Sequence, residues 1–308
     1  MKPALSVILF TTLAGTAQGL VVLLAASVLL GALTPTAVLL EPALLLALAL
    51  LLAGLVSSFF HLGHPERAWR AVMMWRTSWL SREVLALPAF IGSVALWWLC
   101  LKLGVANALL PILCLALAMT LWVCTGMIYA CIRFIQEWAH PITVINFVLM
   151  GLSSGLVLGS AMALVTGERD FGLGALPWTL TVTIAAWASR VLSLRRNAGL
   201  RPISTLQSAT GIRARKLQQK SMGMSAGAFN TREFFHHASQ LAMKQARLGL
   251  LVLGFAVPAV CVAVAWGTGM APSLWLAVLT QAVGLLVERW FFFAQAQHPQ
   301  NLYYQVVS

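Results

Sequence analysis

Residues 43–62 read ALLLALALLLAGLVSSFFHL, a run without Asp, Glu, Lys or Arg. A helix of this length crosses a bilayer core of about 30 Å. Comparable runs recur along the chain, which has 308 residues, 60% of them hydrophobic and only 9% charged. A soluble domain carries roughly 25% charged residues. The sequence therefore predicts an all-α integral membrane protein and excludes a secreted or soluble enzyme.

The apolar runs predict eight transmembrane helices, which we expect to form two four-helix bundles within one membrane domain, residues 1–308. The first run is long and no small-residue cleavage site follows it, so we interpret it as a retained helix and not as a signal peptide. The predicted spans are 4–30, 43–62, 84–104, 108–132, 142–166, 175–194, 247–267 and 273–293.

Basic residues are concentrated on one side of the predicted membrane domain. We call this side the N-terminal face; it comprises both termini and the connections after the second, fourth and sixth spans. All Lys and Arg residues except Lys102 and Arg169 lie nearer to this face. The positive-inside rule then predicts that it is cytoplasmic, with both termini inside. The net charge is +12, and the basic residues responsible for it lie between spans. We therefore expect these residues to set topology, bind membrane lipid or dock a protein, and not to bind nucleic acid.

One long connection is not membrane-like. Residues 195–246 contain nine Lys or Arg residues and one acidic residue, Glu233. A loop of this length is usually functional or disordered, so it is either a solvated, lipid-binding tether or a docking surface for another subunit. The mixture of aromatic and charged residues in 229–237 favours the docking surface.

A polar cluster lies between the second and third apolar runs, where residues 61–83 read HLGHPERAWRAVMMWRTSWLSRE. His61 and His64 share a helix face if the second helix continues that far, and Glu83 opens the third span. A neutral His or a carboxyl group at the membrane boundary can hydrogen-bond a quinone carbonyl and move the accompanying protons. The alternatives are helix capping for the histidines, an interfacial aromatic belt for the tryptophans and topology setting for the arginines. The predicted residues for quinone binding or proton transfer are His61, His64, Glu83, Arg82, Trp79, Glu288 and Arg289.

Glu288 and Arg289 lie inside the eighth predicted span, where a charge is costly and indicates a function by default. They would form a proton relay or the wall of a quinone pocket, or else a structural ion pair between helices, with Arg82, Arg133 or Arg190 as the partner. If the helix continues to His298, Glu288 lies ~15 Å below its end. Because adjacent residues on a helix do not face each other, we expect each to have a different partner.

The sequence predicts neither haem nor an iron–sulfur cluster in this chain. Haem ligation in a membrane bundle needs histidines deep within the helices, and the six histidines here lie at span ends or in connections. The five cysteines form no C-x-x-C pair. No hydrolase or metalloprotease motif occurs either, so we expect no metal site and no catalytic residue.

Four blocks of sequence resemble a known family. They are HLGHPERAWRAVMMWRTSWLSREV at 61–84, MIYACIRFIQEW at 127–138, the pair QSATGIRARK and GAFNTREFFH at 207–216 and 227–236, and ERWFFFAQAQHPQNLYY at 288–304. In this order and on eight spans, they resemble the membrane anchor subunits of dimethyl-sulfoxide-reductase-type molybdoenzymes.

The resemblance implies a complex in a bacterial inner membrane with a molybdopterin catalytic subunit and a four-cluster iron–sulfur subunit. The anchor would supply a site for menaquinone or ubiquinone near the last cluster. His61 and Glu83 match the histidine and glutamate that the family uses for quinol, whereas the family commonly has a small residue at the position of His64. The predicted docking residues are Arg67, Arg70, Arg76, Arg213, Arg215, Lys216 and Arg232.

The resemblance allows two directions of electron flow. Dimethyl sulfoxide reductases of this type reduce their substrate with quinol on the outer face, whereas related sulfite dehydrogenases face the cytoplasm and reduce quinone. The predicted cytoplasmic position of the basic face favours the second group. The competing interpretations are a purely structural anchor without quinone and a transporter that uses Glu288 and Arg289. Transporters often show broken helices and inverted repeats, and neither is evident here.

Overall fold

The computed structural model describes residues 1–60, 62–105 and 107–305, and within these residues it contains helices and no strand. Eight of the helices are long and apolar enough to cross a membrane, which confirms the predicted fold class. They are α1 (Leu5–Leu29), α2 (Leu40–Phe59), α3 (Trp79–Lys102), α4 (Leu109–Ala130), α5 (Pro141–Val165), α6 (Arg169–Ala198), α7 (Gln240–Thr268) and α8 (Ala271–Ala294).

Helices α1 and α5 form the centre of the molecule. Both contact α4 and α8, and they pack directly on each other through glycines. A methyl group at Gly155 would overlap the backbone of Gly19, and one at Gly19 would overlap the backbone of Gly151. Glycines spaced four residues apart, such as Gly151 and Gly155, let two helix backbones approach closely in a membrane, where the apolar lipid supplies no hydrophobic drive.

The other contacts connect neighbouring helices in sequence. In the first half α2 packs on α1 and α3, and α3 packs on α4; in the second half α6 packs on α5 and α7, and α7 packs on α8. Because α1 and α5 pack on each other as intimately as on their other neighbours, the division into two four-helix bundles stays a prediction.

A π-helical turn interrupts α7 at Val252–Ala256. Within it Gly254 packs against the backbone of Gly284 in α8. The Nε2 atom of Gln281 lies 3.4 Å from the Gly254 carbonyl oxygen and donates a second hydrogen bond of 2.7 Å to Ser153 Oγ in α5. The Gln281 side chain of α8 thus donates a hydrogen bond to a backbone carbonyl of α7 where the regular helical hydrogen bonds are interrupted.

Several predicted boundaries are wrong. The second span ends at Phe59, before Pro65. The third begins at Trp79 and not at residue 84, because the hydroxyl of Ser78 accepts a 3.3 Å hydrogen bond from the Ser81 amide and caps the helix. Helices α6 and α7 extend beyond their apolar windows, so the long connection is 199–239. Hydropathy detects the part of a helix in lipid and misses polar ends that protrude from it.

The N-terminus, the described part of the tail after α8 and the long connection meet at the N-terminal face. The α-amino group of Met1 donates to the Ala296 carbonyl oxygen at 2.9 Å, just beyond α8. The Lys2 amide donates to the Glu233 carbonyl oxygen at 2.8 Å, and Asn230 Nδ2 contacts the Tyr304 hydroxyl at 2.7 Å. These bonds fasten residues 229–239 over the ends of α1 and α8.

Candidate functional site

Glu83 is a buried carboxyl group in the second turn of α3. Its side chain is 6% exposed, and Thr125 Oγ1 of α4 donates a hydrogen bond to Glu83 Oε1. Among the described residues, Glu83 makes no ion pair. A carboxyl group with one neutral partner can either accept or donate a hydrogen bond, depending on whether it carries a proton.

Arg82 and Trp79 hold the connection before α3 against the start of that helix. Arg82 Nε donates to the Trp75 carbonyl oxygen at 2.9 Å, and Nη2 donates to the Arg76 carbonyl oxygen at 2.8 Å. The guanidinium also lies 4.2 Å from the centre of the Trp79 ring. Arg82 therefore organises the backbone beside Glu83 without pairing with its carboxylate.

The two histidines of the cluster are not brought to Glu83 by any described contact. His61 lies outside the described residues. His64 is exposed, and its Nδ1 atom lies 3.0 Å from Glu66 Oε1. A shared helical face for His61 and His64 required the second helix to continue to His64. Helix α2 ends at Phe59, so this condition is not met.

A second buried carboxyl group, Glu288, lies between two arginines. Arg190 Nε of α6 lies 2.9 Å from Glu288 Oε1, and Arg289 Nε lies 3.4 Å from Oε2, with all three side chains buried. Arg190 was one of the partners that the sequence suggested. The expectation of separate partners for Glu288 and Arg289 is wrong, since the long arginine side chain bends back to its neighbour's carboxylate.

Arg289 also lies against aromatic rings. Its guanidinium is 3.9 Å from the centre of the Phe147 ring and 5.9 Å from that of Phe292. The Tyr129 ring stacks on Phe147 with 5.6 Å between centres, and Tyr129 lies within electrostatic range of both Glu83 and Arg289. Tyr129 therefore lies near Glu83 and near Arg289, the residue next to Glu288.

Both carboxyl groups lie at similar depth near the N-terminal face. Glu83 is four residues from the start of α3, or about 6 Å, and Glu288 is six residues from the end of α8, or about 9 Å. The depth of ~15 Å applied only to a helix continuing to His298; α8 ends at Ala294, so this condition is not met.

Sequence reasoning did not single out Thr125 and Tyr129. A threonine within an apolar helix usually bonds its own backbone, as Thr120 does with the Ala116 carbonyl oxygen at 2.8 Å. Only the packing of α3 on α4 shows that Thr125 instead faces Glu83. The one available signal was that Thr125 and Tyr129 lie four residues apart, on one face of the fourth span.

In the described part of the chain, no group of three or more His, Cys, Asp or Glu side chains is placed to hold a metal ion.

The predicted docking residues lie at the surface. Arg67 Nε lies 3.7 Å from Glu66 Oε1. All of the predicted docking residues are exposed: Arg67, Arg70, Arg76, Arg213, Arg215, Lys216 and Arg232.

Comparison with known proteins assigns the chain to a family. Residues 1–295 match the family described as DMSO reductase anchor subunit (DmsC). The chain is 44% identical, over an alignment of 333 positions, to a sulfite dehydrogenase subunit of Allochromatium vinosum, with all of both chains covered. It is 32% identical to the anaerobic dimethyl sulfoxide reductase chain YnfH of Escherichia coli over 112 residues, which cover 35% of this chain and 39% of that one. The chain belongs to the DMSO reductase anchor subunit family and is a membrane anchor subunit.

Proposed function

We propose that this chain is the quinone-reactive anchor of a molybdopterin and iron–sulfur oxidoreductase. It exchanges electrons between the membrane quinone pool and a docked iron–sulfur subunit. The observation that carries this proposal is Glu83, a buried carboxyl group near the membrane boundary whose described side-chain partner, Thr125, is neutral. Such a group can follow the protonation changes that accompany quinone chemistry.

The residues around Glu83 fit a quinone ring. Reduction of a quinone takes up two electrons and two protons, and its oxidation releases them. In the proposed site Glu83 holds or accepts a proton at a quinone oxygen, and the Trp79 ring, fixed by Arg82, packs on the quinone ring. From the family resemblance we propose that His61 serves the second oxygen, whereas the pairing of His64 with Glu66 favours a structural role for His64.

Glu288 and Arg289 are proposed to form the inner wall behind this site. Their pairing with Arg190 inside the bundle favours an electrostatic and structural role over a substrate path. Membership in an anchor family also removes the reason for the transporter alternative.

The proposed reaction is sulfite oxidation coupled to reduction of menaquinone or ubiquinone. It is supported by 44% identity over the whole chain to a protein named as part of a sulfite dehydrogenase. The concentration of basic residues on the N-terminal face supports placing that face, and the catalytic subunits on it, in the cytoplasm of a bacterium with the anchor in the inner membrane. Reduction of dimethyl sulfoxide by quinol is the second candidate, supported by the partial similarity to YnfH.

The exposed arginines are proposed to bind the iron–sulfur subunit. Arg67, Arg70 and Arg76 lie in the connection before α3, and the 3₁₀ helix of that connection contacts α3. A partner bound to this connection would therefore lie near the helix that carries Glu83. The cations of the long connection, Arg213, Arg215, Lys216 and Arg232, extend the same face. Their charge complements an acidic partner surface and accelerates its association.

The test is Glu83→Gln in the assembled complex. We expect sulfite-dependent quinone reduction to fall by about a hundredfold or more, because the amide cannot transfer a proton. Reduction of an artificial dye by sulfite should stay unchanged, because the dye takes its electrons before they reach the anchor.

The matched control is Glu41→Gln, which removes a carboxylate paired with Lys102. Glu41 lies in the first turn of α2 and Lys102 ends α3, so this pair lies at the ends of these helices that are away from the N-terminal face. This control should leave quinone reduction unchanged. Unchanged quinone reduction in Glu83→Gln would contradict the proposal, and loss of assembly would assign Glu83 a structural role.

A further inference from the structure

A small polar chamber lies in the middle of the bundle, between α1, α4, α5 and α8. Its volume is about 20 Å³, which is room for roughly one water molecule. Unlike a cavity in an aliphatic core, it is lined in part by side chains that can form hydrogen bonds. The polar side chains that line it include Thr16, Gln18, Trp122, Thr125, Ser154 and Arg289.

Two buried donors in the chamber have no acceptor. The side chains of Gln18 and Trp122 are 3% and 1% exposed. In the part of the chain that the structure describes, no atom accepts a hydrogen bond from Gln18 Nε2 or Trp122 Nε1. Leaving a buried N–H unpaired is unfavourable, so native proteins usually pair such groups with protein atoms or ordered water.

The chamber also contains acceptor capacity. Thr125 donates its only hydroxyl hydrogen to Glu83, which leaves the lone pairs of Oγ1 free to accept. By contrast Thr16 and Ser154 are engaged with each other at 3.0 Å, and Ser154 Oγ also lies 3.0 Å from the Met150 carbonyl oxygen. Thr11 and Thr12 likewise donate to backbone carbonyl oxygens. Among these hydroxyls Thr125 is the one that donates to a carboxyl group, so a further hydrogen bond to its oxygen acts on Glu83.

We infer that the chamber is a binding site for one ordered water molecule that fixes the direction of the Thr125–Glu83 hydrogen bond. The orphaned atoms Gln18 Nε2 and Trp122 Nε1 can only donate hydrogen bonds, so in this arrangement they occupy both lone pairs of the water. Its two hydrogens must then point outward, one of them to Thr125 Oγ1. Thr125 cannot reverse and is held as the donor to Glu83 Oε1.

This arrangement deepens the proposed function and rests on it for the role of Glu83. With Oε1 held as an acceptor from Thr125, any proton on Glu83 is confined to Oε2. The water, together with Gln18 and Trp122, therefore positions the carboxyl group so that one oxygen alone exchanges protons with the quinone. Gln18, Trp122 and Thr125 are positioning residues, since they act through Glu83.

The first experiment locates the water directly. An electron cryo-microscopy map of the wild-type complex in detergent, at a resolution that shows ordered waters, should contain one water within hydrogen-bond distance of Gln18 Nε2, Trp122 Nε1 and Thr125 Oγ1. An empty chamber, or a Gln18 side chain turned to a protein acceptor, would overturn the inference. This outcome does not depend on quinone activity.

The second experiment removes the donors one at a time. Trp122→Phe and Gln18→Leu should each lower kcat for quinone reduction about fivefold while KM for quinone stays unchanged, because about one hydrogen bond of positioning is lost and substrate contacts remain. Trp178→Phe, at an exposed tryptophan, and Thr120→Val, at an exposed α4 residue, are matched controls without effect.

The two proposals fail in different ways. If Glu83→Gln abolishes quinone reduction while both chamber variants keep the wild-type kcat, the positioning role of the water is refuted and the quinone site stands. If Glu83→Gln has no effect but the water is present, the proposed function fails and the binding site stands. Loss of dye-linked activity in a chamber variant indicates misassembly, and the wild-type map then decides.

Discussion

Glu83 and Glu288 are two buried carboxyl groups at the same end of the bundle, and the protein holds them in opposite ways. Glu288 lies between the guanidinium groups of Arg190 and Arg289, which stabilise its charged form. Glu83 receives one hydrogen bond from the neutral Thr125. Burial alone thus does not distinguish them, whereas the charge of the partner does.

The difference separates a structural carboxylate from a reactive one. A buried ion cluster is stable only while every charge keeps its partner, so Glu288 is unsuited to a cycle in which its charge disappears. A carboxyl group with a neutral partner loses little when its protonation changes. We therefore propose that the carboxyl group without a cationic partner, Glu83, is the one that takes part in proton chemistry.

Glu288→Gln should have the largest effect on stability of any single change at these two sites. It leaves the guanidinium groups of Arg190 and Arg289 buried without their counter-ion, at a cost of about 3–5 kcal/mol. We expect the anchor to disappear from the membrane fraction or the purified complex to unfold at a much lower temperature. Thermal unfolding in detergent, followed by size-exclusion chromatography, measures the change.

The matched comparison is Glu83→Gln, which should assemble with a near-normal unfolding temperature because no cation is stranded. The double variant Arg190→Gln with Glu288→Gln should recover part of the stability lost in Glu288→Gln, because one stranded cation is removed with the carboxylate. If Glu288→Gln and Glu83→Gln were equally stable, the proposed distinction between the two sites would be wrong.

Phe147→Leu should have a smaller effect on the Glu288 cluster. The Phe147 ring faces the Arg289 guanidinium at 3.9 Å, and a desolvated contact of this kind contributes about 2 kcal/mol. The control is Phe171→Leu, a partly buried ring for which the described structure shows no cation contact. A larger fall in unfolding temperature for Phe147→Leu supports the cation–π contact, and equal falls would leave only lost packing.

The sequence predicted the features that depend on local composition. The eight spans follow from apolar runs, and Arg190 could be suggested as a partner because it is another basic residue within a predicted span. Glu83 was identifiable because it begins an apolar run after a loop rich in arginine and tryptophan. Each of these inferences uses residues close together in the chain.

The details that distinguish Glu83 from Glu288 could not be predicted in this way. The partner of Glu83 comes from another helix, and nothing in the sequence around Thr125 separates it from Thr120, which bonds its own helix. The chamber depends on how four helices pack. The start of α3 was placed too late because Arg82 and Glu83 lower the local hydropathy, although Ser78 provides the cap.

The smallest expected effect concerns His298, in the tail that follows α8 on the N-terminal face. Its ring stacks on Phe234 with 3.9 Å between centres and so helps to hold the long connection in place. Burial, and to a smaller extent the nearby α-amino group of Met1, lowers the pKa of His298 below its ordinary value of 6.5. Burial also lowers the pKa of His236 in that connection.

Burial also lowers the pKa of the Met1 α-amino group from 8.0 to about 6. Since these lowered pKa values mean that the docked connection binds fewer protons than the released one, its docking should weaken as the pH falls below about 8, and more steeply below about 6.5, where the histidines also take up protons. Limited proteolysis at Arg213 and Lys216 should therefore become faster between about pH 7 and about pH 5.5, after correction against an unfolded substrate. His298→Gln should reduce the pH dependence, with His236 and the Met1 α-amino group responsible for the remainder. A cleavage rate independent of pH in the wild type would show that the tail holds the connection without its histidine, leaving Asn230 and Tyr304 to do so.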